Sequence, residues 1–199
     1  MPEQLRVLFN LAVFSGLRKG EMLALQWSDI DFENSTVSVT KAAAVVDGKQ
    51  VCKAPKTKNS RREVSIPRFL TDRLHDLMVE QTKTKELLGA YWKGNNWLFT
   101  QSDGSMMSYS TPYATFQDAI DRYNTDKEPA DQLPHIPFHG LRHTSATLLI
   151  AAHQDVRTVS NRLGHAQAST TMNIYAHALK ENDRTASNAL ENMLCKTGA

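Results

Sequence analysis

The chain has 199 residues, enough for one domain with a sizeable core. Apolar residues make up 41% and charged residues 22%, and the formal net charge is only +2, so bulk charge does not mark a polyanion binder. Two cysteines, Cys52 and Cys195, do not make a disulfide framework, the best apolar run (Leu148-Leu149-Ile150-Ala151-Ala152) is far too short for a bilayer, and Met1-Pro2-Glu3-Gln4 lacks the basic and apolar regions of a signal peptide. The expected location is therefore cytoplasmic.

Pro2 stands where helices like to begin, and Leu5, Leu8, Phe9, Ala12 and Val13 recur at helical spacing, which predicts a helix that stops near Ser15-Gly16. A second short helix is expected over 19–26. The period then changes: Thr36-Val37-Ser38-Val39-Thr40 alternates like a strand, and Asp47-Gly48 signals a hairpin turn. Residues 50–54 and 63–66 read as two more strands, with a polar loop over 56–61 between them. The three strands are expected to form one small antiparallel sheet. Helical patterns follow over 71–88, 111–123, 139–152, 156–163, 169–176 and 180–194. Trp97-Leu98-Phe99 reads as a short buried segment, and 124–137, with Pro129, Pro134 and Pro137, as an exposed loop. The expected fold class is α+β: a mainly helical single domain with a small three-stranded antiparallel sheet.

Charge is unevenly spread. Between Lys41 and Arg73, nine Lys or Arg residues face three acids (Asp47, Glu63 and Asp72), and nine minus three leaves +6. Such a stretch can grip phosphates, or it can be a solvated hairpin.

Three groups of residues could carry chemistry. His139 and Arg142 are spaced i, i+3 and project from one helix face, with His143 at i+4. A zinc site would need a carboxylate base within His-x-x-x-His, but Gly140, Leu141 and Arg142 intervene, and a cation there opposes a metal. An arginine beside a histidine suits an anionic oxygen substrate better, since the guanidinium fork holds two phosphate oxygens and imidazole exchanges a proton near neutrality. In Ser15-Gly16-Leu17-Arg18-Lys19-Gly20-Glu21, two glycines bracket Arg18 where a helix begins, a natural anion site. Glu21 is placed to hold Arg18 or to pair with Lys19. In Leu163-Gly164-His165, Gly164 reads as a helix C-cap that leaves His165 at a corner, and Tyr175 follows ten residues later. A tyrosine is a poor nucleophile at its free pKa of about 10 and needs nearby cations or a base. Taken singly, each group has a plain alternative: a surface ion pair for Arg142, a satisfied core residue for His139 and Tyr175, a charged turn for Arg18.

Taken together and in this order, the strings resemble the tyrosine recombinase, or phage integrase, family. Those strings are Arg18 in Ser-Gly-Leu-Arg-Lys-Gly-Glu, a basic hairpin, His139-Gly-Leu-Arg142-His, Leu-Gly-His165 and Tyr175. Leu25-Gln26-Trp27-Ser28-Asp29-Ile30-Asp31 is similar to the segment after the first family arginine. The resemblance spans about 11–179 and is greatest to integrases of temperate phages and conjugative transposons.

The resemblance implies a site-specific DNA recombinase in which Tyr175 attacks the scissile phosphate and forms a 3′-phosphotyrosyl bond. Arg18 and Arg142 clamp the non-bridging oxygens, His139 takes or relays the tyrosine proton, and His165 donates to a phosphate oxygen. A hairpin lysine protonates the leaving 5′-oxygen. Lys56 matches the lysine-threonine form and lies nearer the strand, while Lys58 is the alternative, otherwise a backbone-phosphate contact. His143 reads as structural. No metal, ATP or other cofactor is expected. The partners implied are double-stranded attachment-site DNA and, on that DNA, three further copies of the chain, with a monomer in its absence. The whole of 1–199 reads as the catalytic domain, with the arm-binding and core-binding domains outside it, and 178–195 as a C-terminal helix packing in trans or folding back in cis. The rivals are a chromosome-dimer resolvase or topoisomerase of the same chemistry, a DNA-binding protein without catalysis, and a metal-dependent hydrolase using His139 and His143.

Overall fold

Pro2 leads into α1 (Glu3–Ser15), and Leu5, Leu8, Leu11, Ala12 and Ser15 turn one face of that helix into the core. The computed structural model describes residues 1–53 and 61–164 of the chain. Gly16 ends α1 in the left-handed conformation, with φ 65°. A Cβ there would lie 2.3 Å from Leu163 Cδ2, so the end of α1 is also where a later helix packs.

The next helix, α2 (Lys19–Leu23), is short and stops before the residue-26 end expected of it. Gly20 on α2 lies against a strand so closely that a Cβ would sit 2.3 Å from the Ala43 carbonyl oxygen. After a 3-10 turn at Trp27–Asp29 come β1 (Ile30–Asp31), β2 (Thr36–Val39), β3 (Ala42–Val46), β4 (Lys49–Lys53) and β5 (Arg62–Ser65).

The strands do not all share a sheet. One antiparallel sheet has the order β1-β2-β5, with Val37 opposite Val64, and β3 pairs with β4 in a separate hairpin. The 50–54 strand expected in the main sheet thus belongs to the hairpin, and the two-residue β1 takes its place. The hairpin's other strand, β3, which pairs with β4, is rich in alanine, a weak strand former, so its sequence does not announce it. Asp47 and Gly48 both have positive φ, 49° and 72°, as a two-residue hairpin turn requires.

The helices α3 (Arg68–Leu88), α4 (Thr111–Asn124), α5 (Gly140–Ala151) and α6 (Val156–Leu163) complete the described residues. The 156–163 expectation matches α6, which starts on an Asp155 cap accepting from the Arg157 and Thr158 amides and ends on a left-handed Gly164. The expected helices over 169–176 and 180–194 lie outside the described residues. The core gathers Leu8, Leu11, Met22, Leu23, Val37, Leu70, Leu74, Leu98 and Phe99, all under 2% exposed. A smaller cluster of Ala146, Ile150, Val159 and Leu163 joins α5 to α6. Phe9, Phe116 and Phe138 meet with ring centroids 5.6, 5.9 and 6.2 Å apart, which pins the start of α5 to α1 and α4. Among the described residues, no helix is long and apolar enough to cross a membrane.

Candidate active site

Three of the expected site residues fall within the described part of the chain. Arg18 is the N-cap of α2, His139 the N-cap of α5, and Arg142 sits in the first turn of α5. Lys56, its alternative Lys58, His165 and Tyr175 lie outside the described residues.

Arg142 is 3% exposed. Its two terminal nitrogens donate to the carbonyls of Gly16, at 2.7 Å, and Leu163, at 2.6 Å. These are the C-terminal ends of α1 and α6, where carbonyls lack helical partners and the dipole is negative. The surface ion pair is therefore ruled out for Arg142: the residue is buried and ties two helix ends together. Arg18 reaches the same place, with one terminal nitrogen 3.0 Å from the Gly164 carbonyl, next in the chain after the Leu163 carbonyl held by Arg142. Arg18 and Arg142 thus converge from positions 124 apart in sequence, 142 minus 18.

Glu21 organises this convergence. Its side chain is 6% exposed and accepts four hydrogen bonds: from the Arg18 amide (2.8 Å) and guanidinium (2.9 Å), and from both terminal nitrogens of Arg62 (3.1 and 2.8 Å). Its spacing allows it to hold Arg18 or to pair with Lys19, and the structure shows the first. Arg62 as second partner was not foreseen, and the residue is tied inward rather than offered from the hairpin. Arg62 also donates through Nε to the Arg162 carbonyl, while Arg162 donates to the carbonyls of Phe14 and Ser65. Lys41, another cation of the basic stretch, is paired with Asp29 at 3.1 Å. Part of the +6 is therefore spent inside the fold.

Among the described residues, three guanidinium groups, those of Arg18, Arg62 and Arg142, gather around the Glu21 carboxylate. Burial pulls Arg142 down to about 9, helped by the like charge of Arg18, and Glu21 counters only in part; the group stays cationic at neutral pH. Burial pushes the Glu21 carboxyl up, but hydrogen bonds and charge from Arg62 and Arg18 more than reverse this and hold it below its ordinary value. An excess of positive charge in a partly dry site is a site for an anion.

His139 is exposed at the mouth of a cleft of about 380 Å³ that it lines with Arg18, Lys19, Gly20, Tyr109, Tyr113, Pro137 and Phe138. Its pKa is lowered, first by partial burial, then by His143, Arg142 and Arg18. His143 is exposed and meets the His139 ring edge-on, with centroids 5.1 Å apart, so it is a neighbour of the site and not part of the packed core. No three His, Cys, Asp or Glu side chains among the described residues gather closely enough to hold a metal ion.

Comparison with known proteins shows the family to which the chain belongs. The model of the phage integrase family matches residues 1–182. A XerC-like tyrosine recombinase of Caldanaerobacter subterraneus is 33% identical over 96% of this chain and 50% of its own length. The ICEBs1 integrase of Bacillus subtilis is 32% identical over 95% of this chain and 49% of its own. Among solved structures, that of the Tn1549 transposon integrase in complex with transposon right-end DNA covers 95% of this chain and 58% of that one, with a TM-score of 0.76 and 24% identity, a likeness of fold. The chain belongs to the phage integrase family, and it spans about half the length of the curated relatives it matches.

Proposed function

We propose that this chain is the DNA-cleaving and rejoining part of a site-specific recombinase. The observation that carries this reading is the convergence of Arg18 and Arg142 beside the His139 cleft, where Glu21 is the acid among the described residues that partly offsets them. The family, and the DNA held by the Tn1549 integrase, support a duplex as the anion.

In the proposed reaction the Tyr175 phenol loses its proton to His139 and its oxygen attacks phosphorus. The phosphorus–5′-oxygen bond breaks, Lys56 supplies the proton to the leaving oxygen, and a 3′-phosphotyrosyl bond and a 5′-hydroxyl result. Arg18 and Arg142 stabilise the charge that gathers on the non-bridging oxygens, with His165 as a further donor. These cations do the work that a divalent ion performs in other phosphoryl transfers. The new ester conserves the energy of the old one, so rejoining to another strand consumes no ATP. Exchange between two duplexes cleaves four strands, which calls for four copies on the DNA, and residues 178–195 would couple them.

The lowered pKa of His139 suits a base that must be neutral before attack. Protonation silences the base, so cleavage should be lost as pH falls, with the acidic limb centred below the ordinary histidine value of 6.5. A pH profile of single-turnover cleavage checks this, and a limb centred above 7 would remove His139 from the role. The function as a whole is tested by incubating the chain with a nicked suicide duplex in EDTA. The expected result is a covalent protein–DNA complex. A strict requirement for metal, or cleavage without any adduct, would point to a hydrolase instead.

A further inference from the structure

Lys19 follows Arg18 directly, and its ammonium lies 3.9 Å from the centre of the Tyr109 ring. It is half-buried, and among the described residues no carboxylate comes within ion-pair distance of it. The nearby acid, Glu21, is fully engaged by Arg18 and Arg62. Burial draws the Lys19 ammonium below its ordinary pKa, as expected of a cation that lacks a counterion.

Tyr109 is held firmly for a loop residue. Gln50 of β4 accepts from the Tyr109 amide at 2.8 Å and donates to the Met107 carbonyl at 2.9 Å, so the hairpin grips the loop on both sides of Ser108. The tyrosine lines three adjoining clefts. One it shares with Arg18, Lys19 and His139, the second with Arg18 and Lys41, and the third with Lys19, Gln50, Ser110 and Tyr113. Together they make a path from the arginine site to the β3–β4 hairpin, with cations along it and, among the described residues, no unneutralised acid.

We propose that Lys19 and Tyr109 form a second phosphate subsite, which holds a backbone phosphate of the same duplex beside the phosphate held at Arg18. The inference rests on the reading of the chain as a DNA-cleaving recombinase. The ring covers one side of the ammonium by a cation–π contact, and its remaining N–H bonds face an oxygen acceptor. Lysine serves as a point charge for phosphate, and such a contact positions the duplex without reading its sequence. The subsite would set how the strand enters the arginine site.

The test is equilibrium binding of the 199-residue chain to a fluorescent duplex of arbitrary sequence, titrated between roughly 50 and 200 mM salt. Each phosphate contact adds about 0.9 to the slope of log affinity against log salt, so Lys19→Met should flatten the slope by about that amount. Lys19→Arg should keep it. Tyr109→Leu should weaken binding, whereas Tyr109→Phe, which retains the ring, should not. If Lys19→Met fails to fold, Lys19→Gln carries the same expectation. A steep slope in the parent chain that Lys19→Met or Lys19→Gln leaves unchanged overturns the subsite alone. A parent chain with no salt-dependent duplex binding overturns the functional reading on which it rests.

Discussion

Glu21→Ala is expected to cost about 3–5 kcal/mol of folding stability, the range for removing one partner of a buried ion pair. The carboxylate accepts four hydrogen bonds at 6% exposure, and its loss removes the acceptor that Arg18 and Arg62 share, where Arg142 already feels the like charge of both. Urea unfolding of the chain and the variant measures the loss, and a difference below about 1 kcal/mol would assign the cluster the weight of a solvated surface pair. The same group predicts a pH dependence. Its folded pKa is lowered, so the folded state binds fewer protons than the unfolded one as pH nears the ordinary value of 4.5. Its contribution is complete above that value and is lost as pH falls through the folded pKa. Glu21→Gln should therefore flatten the acid side of the stability curve while keeping the side-chain shape.

Arg142→Lys should slow covalent complex formation by about 100-fold or more, the scale set by losing a donor aimed at developing oxyanion charge. The change keeps a positive charge, so charge alone is not what it removes. One planar fork holds the Gly16 and Leu163 carbonyls at once, and an ammonium on a flexible stem cannot reproduce both contacts and also serve a phosphate. A buried carbonyl left without a donor costs about 1–3 kcal/mol, so the variant should also unfold more easily, chiefly through the joined ends of α1 and α6. Single-turnover cleavage together with thermal unfolding separates the two effects. A lysine variant with the parent rate would contradict the fork-based role.

The sequence announces the parts of this molecule whose pattern is local. Helices α1, α3 and α6 carry clear apolar periods, and Gly16, Gly164 and Asp47-Gly48 mark their turns by residue type. What stays hidden is set by partners far along the chain. Arg62 looks like any other cation of a basic run, yet it pairs with an acid 41 residues away and a carbonyl 100 residues away. The separate β3–β4 hairpin is hidden for a different reason: Ala42, Ala43 and Ala44 have no strand signature of their own, and α2 packing through Gly20 is what holds them. At the site, motif order alone brought Arg18, His139 and Arg142 into one account, and the geometry adds that two helix C-termini orient the arginines. The depth of Arg142 could not be read from its spacing, since i, i+3 with His139 describes a shared face and says nothing of what covers it.

Tyr175 is the residue expected to become covalently joined to DNA. The most direct measurement is to trap the suicide-substrate adduct in EDTA, digest it with trypsin and nuclease, and locate the residual nucleotide by mass spectrometry. Cleavage after Arg162 and Lys180 places Tyr175 in the peptide spanning 163–180. A phosphonucleotide on Tyr175 in that peptide is expected, and no adduct at all from Tyr175→Phe. A modification on any other residue, or an adduct that survives Tyr175→Phe, would contradict it.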